Sequence, residues 1–176
     1  MAGLVVGSIN SGGSWEALIA STATAGSDVT TLSLTGLDGD TDADYVIVGR
    51  LKLATAALDI DMEINGAGTS LSTKATRDGA AAVSDTAGRI YTASVGPSTA
   101  HMVSFELHLH AARDDSGNRR SFSGTMCLDY DSTPFTYHLS GVYLTETANI
   151  TSIDFTSTSA SGILAGSKIT VRKRSA

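Results

Sequence analysis

Apolar and polar residues alternate with a period of two along much of this chain. Val103, Phe105, Leu107 and Leu109 alternate with Ser104, Glu106, His108 and His110. Leu58, Ile60, Met62 and Ile64 alternate with Asp59, Asp61 and Glu63. Near the C-terminus, Thr151, Ile153 and Phe155 alternate with Ser152 and Asp154, and Ile169 and Val171 with Lys168, Thr170 and Arg172. Successive side chains of a strand point to opposite faces, so each run predicts a strand with one face in a core and the other in water. Residues 29–37, 122–128 and 135–144 read the same way, with Tyr137, Leu139 and Tyr143 sharing a face. Residues 45–53 (YVIVGRLKL) begin apolar on both faces, as a central strand does.

Turn residues separate these runs. Asn65-Gly66 is a strong stop signal after the strand ending at Ile64. DDSGN at 114–118 and Gly96-Pro97 punctuate later connections. Gly162 and Gly166 bracket a small-residue turn between the last two strands, where backbone angles closed to other residues are needed. Residues 66–100 are rich in Ala, Gly, Ser and Thr and predict a long surface loop with one or two short strands, one of them at 89–95. Residues 1–14 read as an N-terminal arm with an apolar patch at Leu4, Val5 and Val6, and Trp15 opens a single domain running to residue 176. No helical period competes. About eight or nine short strands predict an all-β fold, an antiparallel β-sandwich, and among sandwiches the eight-stranded jelly roll fits the count.

Composition narrows the picture. At 176 residues the chain suits one domain with its own core. Ser and Thr make up about a quarter of it, and charged residues only 17%, a profile that disfavours a helical bundle and suits strands with polar outer faces. The net charge of -6 argues against nucleic acid as a partner, because phosphate binding draws on a basic stripe. The one basic run, Arg172-Lys173-Arg174, reads as a solvated tail or a subunit contact. The lone cysteine, Cys127, excludes an internal disulfide framework and reads as a small packed thiol between Met126 and Leu128. No apolar run approaches a membrane span, so no membrane partner is expected. The opening MAGLVVGSIN lacks a cationic start and a long apolar core, so the expectation is synthesis in a cytoplasm without a signal peptide.

Two constellations invite chemistry. His108 and His110 lie two apart, so both rings leave one face of a strand, as in several metal sites. Glu106 shares that face, and His138 is placed to reach it from a nearby strand. A metal cupin would be the enzymatic reading, but its pattern expects a glycine where Met102 stands and a glutamate where Asp114 or Asp115 stands. The alternative is a solvent- or subunit-facing surface whose histidines make assembly sensitive to pH. The second constellation is DGDTDAD, in which Asp38, Asp40, Asp42 and Asp44 alternate and suggest Ca²⁺. An EF-hand register fails, since its glycine falls at Ala43 and its glutamate at Gly49. A loop whose Asp side chains cap the turn is the default. No nucleophile elbow, phosphate loop or dinucleotide fingerprint occurs, so neither an enzyme nor a cofactor is expected.

Two segments resemble a family of small bacteriophage virion structural proteins. LTGLDGDTDADYVIVGRLKL (34–53) is similar to a strand, turn and strand in their N-terminal half. ITSIDFTSTSASGILAGSKITVRK (150–173) is similar to their C-terminal ITSI-x-F, small-residue loop and AGS-x-I strand, although VRK replaces the usual aromatic-containing finish. The resemblance implies a jelly-roll module on the virion, assembled in a bacterial cytoplasm. Such modules occur as capsid decoration (cement) proteins, collars or tail fibres, and are often homotrimers. Lacking a stalk or coiled coil, the chain suits decoration more than a fibre. The partners implied are a second and third copy of the chain and the major capsid protein or another virion protein, with Leu4, Val5, Val6 and Trp15 as the expected contact. The alternative is a receptor-binding module of a tail appendage that holds host-surface carbohydrate, with Tyr130 and Phe135 as its only loop aromatics.

Overall fold

The computed structural model describes residues 19–54, 59–67, 71–77, 83–85, 88–92, 101–112, 120–130, 133–144 and 148–175. These hold twelve strands: β1 (Ile19–Thr24), β2 (Thr31–Thr35), β3 (Asp42–Leu53), β4 (Asp59–Ile64), β5 (Leu71–Arg77), β6 (Val83–Asp85), β7 (Arg89–Thr92), β8 (His101–His110), β9 (Arg120–Tyr130), β10 (Thr133–Tyr143), β11 (Ser152–Ser157) and β12 (Lys168–Ser175). They form two sheets, antiparallel at every pairing, and no helix occurs among the described residues. The larger sheet runs β1-β12-β3-β8-β9-β10-β5-β6 and the smaller β2-β11-β4-β7.

The expected alternation holds strand by strand. In β8, His101, Val103, Phe105, Leu107 and Leu109 are buried while Ser104, Glu106, His108 and His110 are exposed. In β4, Ile60, Met62 and Ile64 are buried completely. The two inner faces share one apolar cluster, in which Phe105 of the larger sheet stacks on Phe155 of the smaller with ring centroids 5.0 Å apart. Phe105 is directly opposite Gly49 on β3, and its ring fills the space a side chain there would take. Phe122 on β9 and Gly141 on β10 repeat the arrangement. Glycine at an inward strand position is thus the complement of a neighbouring phenylalanine that lies across it.

Several expectations are corrected. Residues 66–100 contain more strand than foreseen: β5 pairs with β10 over seven residues, from Leu71 opposite Tyr143 to Arg77 opposite Tyr137, and β6 and β7 follow. Cys127 is exposed, because Met126 and Leu128 turn inward and the residue between them must turn out. The run at 172–174 is no tail; it continues β12, paired with β3 as far as Ser175. The last two strands do not form a hairpin, since β11 lies in the smaller sheet and β12 in the larger, so the loop between them crosses the sandwich. Of its two glycines only Gly166 has a positive φ, +84°, whereas Gly162 is required because a Cβ would sit 2.1 Å from the Ser157 hydroxyl. Leu4, Val5, Val6 and Trp15 lie outside the described residues.

The Asn65-Gly66 turn is as expected, with both residues at positive φ (55° and 70°). Asn65 also ties this corner to the start of β11. Its Oδ1 accepts from the Thr151 amide (2.8 Å), the Thr151 hydroxyl (3.1 Å) and the Ser152 amide (3.2 Å), while Nδ2 donates to the Asn149 carbonyl (2.7 Å). Replacing Asn65 by alanine removes these bonds and keeps the strained backbone, so a loss of about 2–3 kcal/mol is expected in urea unfolding. Replacement by glycine relieves the strain and should cost about 1 kcal/mol less; equal losses would show that the side-chain bonds alone matter.

Candidate functional site

The outer face of the larger sheet is a polar lattice set by strand register. One row across it reads Thr170, Val48, Glu106, Thr125, His138 and Thr76. The next on one side reads Lys168, Arg50, Ser104, Cys127 and Thr136, and on the other Arg172, Val46, His108, Ser123, Ser140 and Lys74. Among the described residues, two open hollows lie on this face. The larger, about 800 Å³, lies over β12, β3, β8 and β9 and is bordered by Arg50, Glu106, Thr125, Lys168 and Arg172, with the buried Phe105 at its floor. The smaller, about 310 Å³, lies beside Asp44, His108, His110 and Ser121.

The two histidines do share this face, but each is taken by a different carboxylate. His108 Nε2 lies 3.0 Å from Glu106 Oε1, and His110 Nδ1 lies 2.8 Å from Asp44 Oδ1. His138 stands two strands from Glu106 with Thr125 between them, roughly 10 Å away at the usual strand spacing. The expected convergence of His138 on the Glu106 face therefore does not form.

The aspartates of 38–44 likewise point to separate partners. Asp38 accepts from the Thr41 hydroxyl (2.9 Å) and from Asn149 Nδ2 (3.0 Å), and these two bonds, Thr41 first, hold its carboxyl below the usual aspartate range. Asp40 Oδ1 meets Arg120 Nη2 at 3.0 Å, and Arg120 Nη1 donates to the Ala148 carbonyl. Asp42, almost wholly buried, faces Lys173 Nζ at 2.9 Å through Oδ1 and accepts from the Tyr45 hydroxyl at 2.9 Å through Oδ2. Burial first, and then the Asp42 carboxylate, push the Tyr45 phenol far above its ordinary value, so it remains a donor. The loop is a bracket tying β3 to β9, β12 and the 148–150 segment. No group of three His, Cys, Asp or Glu able to hold a metal occurs among the described residues, so Asp38, Asp40, Asp42, His108 and His110 do not assemble into one site.

The smaller sheet carries the opposite charge. Asp59, Asp61 and Glu63 of β4 and Asp154 of β11 face outward, with Glu63 directly opposite Asp154. Arg89 bridges Asp59 and Asp61 at 3.0 Å each, and among the described residues the Glu63–Asp154 pair meets no cation. Partial burial, then Asp154 and Asp61, raise the Glu63 carboxyl. A carboxyl raised in the folded state costs stability once it ionises, and that cost disappears as pH falls below its unfolded value. Glu63→Gln should therefore raise the Tm at pH 7 by about 1–3 °C, a small gain because solvent screens the site. The gain should vanish as pH falls through about 4.3, the ordinary glutamate range; a gain that persisted in acid would show that charge is not its cause.

No helix among the described residues is long and apolar enough to cross a membrane. No protein-family model, curated protein or solved structure matches the chain, so its functional reading rests on its own residues and strand order.

Proposed function

We propose that this chain is a bacteriophage virion structural protein built on a jelly roll, a homotrimeric decoration (cement) or collar-type protein that binds and stabilises the particle surface. The observation that carries the reading is strand order. When β5, β6, β9 and β10 are set aside as insertions, the remaining eight strands pair β1-β12-β3-β8 and β2-β11-β4-β7. In chain order that is first-eighth-third-sixth against second-seventh-fourth-fifth, the pairing of an eight-stranded jelly roll, a fold common in viral capsid proteins. The two segments that resemble phage proteins also bond to one another in both sheets, β11 to β2 and β12 to β3.

A cement protein works by linkage. It binds the assembled shell and not the free subunits, so each occupied site adds its binding free energy to the shell alone. Three-fold contacts hold the trimer together, and the N-terminal arm, through Leu4, Val5 and Val6, together with Trp15 at the start of the domain, reaches the neighbouring shell protein. Sedimentation of the full chain should give a trimer, and deletion of residues 1–13 should abolish attachment to particles while leaving the trimer intact. A monomer, or undiminished attachment of the deleted chain, overturns the respective part.

A further inference from the structure

The larger hollow on the outer sheet face carries a charge pattern that the particle-binding reading does not explain. Arg50 and Lys168 are direct cross-strand partners on that face. Like charges in this position destabilise a sheet, and among the described residues neither meets a carboxylate; Arg50 Nε donates only to the Met102 sulfur, at 2.6 Å. Glu106, the one carboxylate bordering the hollow among the described residues, is directed at His108. Arg172 lies on the same face of β12, roughly 13 Å along the strand from Lys168. Lys52, two residues beyond Arg50 on β3, brings its ammonium over Gly166 at the end of the hollow. None of these four cations makes an ion pair among the described residues, whereas Arg89, Arg120 and Lys173 all meet aspartates. In a chain of net charge -6, four cations without an ion pair among the described residues thus gather at one groove, while Lys74 stands apart from it on the same face.

We propose that this groove binds an anionic polysaccharide, whose carboxylate or sulfate groups sit between Arg50 and Lys168 and follow the line toward Arg172. The groove is open and shallow, which suits a chain passing through more than an enclosed small molecule. Its walls offer the hydroxyls of Ser104 and Thr125 to sugar hydroxyls. Its floor aromatic, Phe105, is buried, so the groove lacks the stacking platform on which single-stranded nucleic acid depends. Recognition is led by charge: an anion between Arg50 and Lys168 turns a repulsive pair into a bidentate clamp. The inference does not rest on attachment to a virion, and its failure leaves that reading untouched.

The test is isothermal titration of the full chain at about 150 mM salt with heparin (sulfated), polygalacturonate (carboxylated), dextran (neutral) and poly(U). Saturable binding of at least one acidic polysaccharide, weakening steeply with salt, and none of dextran is expected. The double variant Arg50→Ser/Lys168→Ser should bind at least tenfold more weakly while its Tm stays level or rises, because a repulsion has been removed. Lys74→Ser, an exposed cation on the same sheet face but outside the groove, should bind as the unaltered chain does. The proposal is overturned by no binding of either acidic polysaccharide, by equal binding of dextran, by unchanged affinity in the double variant, or by poly(U) binding more tightly than both.

Discussion

Replacing Gly49 with valine is expected to destabilise the protein by about 3 kcal/mol or more, read from the urea midpoint. Propensity alone predicts the opposite, since valine is a better strand former than glycine. The sign is decided by packing. A Cβ at position 49 would stand 2.1 Å from Phe105 Cζ and 2.4 Å from Cε1, far inside contact distance. Phe155 stacks on the ring from the facing sheet and blocks it on that side. Overpacking of this kind forces side chains off their rotamers or displaces backbone, and here it also disturbs a contact joining the two sheets. The effect should depend on the ring. In a Phe105→Ala background, itself costing about 3–5 kcal/mol, Gly49→Val should cost much less than it does alone, a coupling that a double-mutant cycle measures directly. Additive losses would mean that the valine disturbs something other than Phe105.

The second large effect is expected at Arg120. Its side chain is 2% exposed, yet it carries a full charge, bridging Asp40 and the Ala148 carbonyl from the start of β9. Arg120→Met preserves much of the volume but strands a carbonyl and a carboxylate, and a loss of about 2–4 kcal/mol is expected. Asp40 is partly exposed and can regain water, which keeps the loss below that of a wholly buried pair. Arg120→Lys should recover only part of it, since an ammonium cannot hold both acceptors in the planar geometry of a guanidinium. Full stability in Arg120→Lys would show that charge alone, and not the bridge, matters at this position.

These residues also show how far the sequence could be read. Strands such as β4, β8 and β12 were legible because large apolar side chains alternate with charged or hydroxylated ones. In β5 the inward residues are Leu71, Thr73 and Ala75, too small and polar to stand out, and Thr73 is accommodated because its hydroxyl donates to the Arg89 carbonyl at 2.8 Å. Arg120 is in phase with Phe122, Met126 and Leu128, yet a charged residue at a strand end reads as turn until its acceptors are known. The DGDTDAD aspartates were legible as a cluster, but their partners come from β9, β12 and Asn149, distant in sequence. The Arg50–Lys168 pair was equally hidden: each is an ordinary outward residue in its own strand, and only the register of β3 with β12 sets the two cations side by side.

The most direct test of the virion role is immunogold electron microscopy of phage particles with antibody raised to this chain. Label distributed over the heads is the expected result for a decoration protein, and label at the collar is the expected result for its collar-type form. An absence of label on every particle, with the antibody shown to bind the pure protein, would contradict the virion reading.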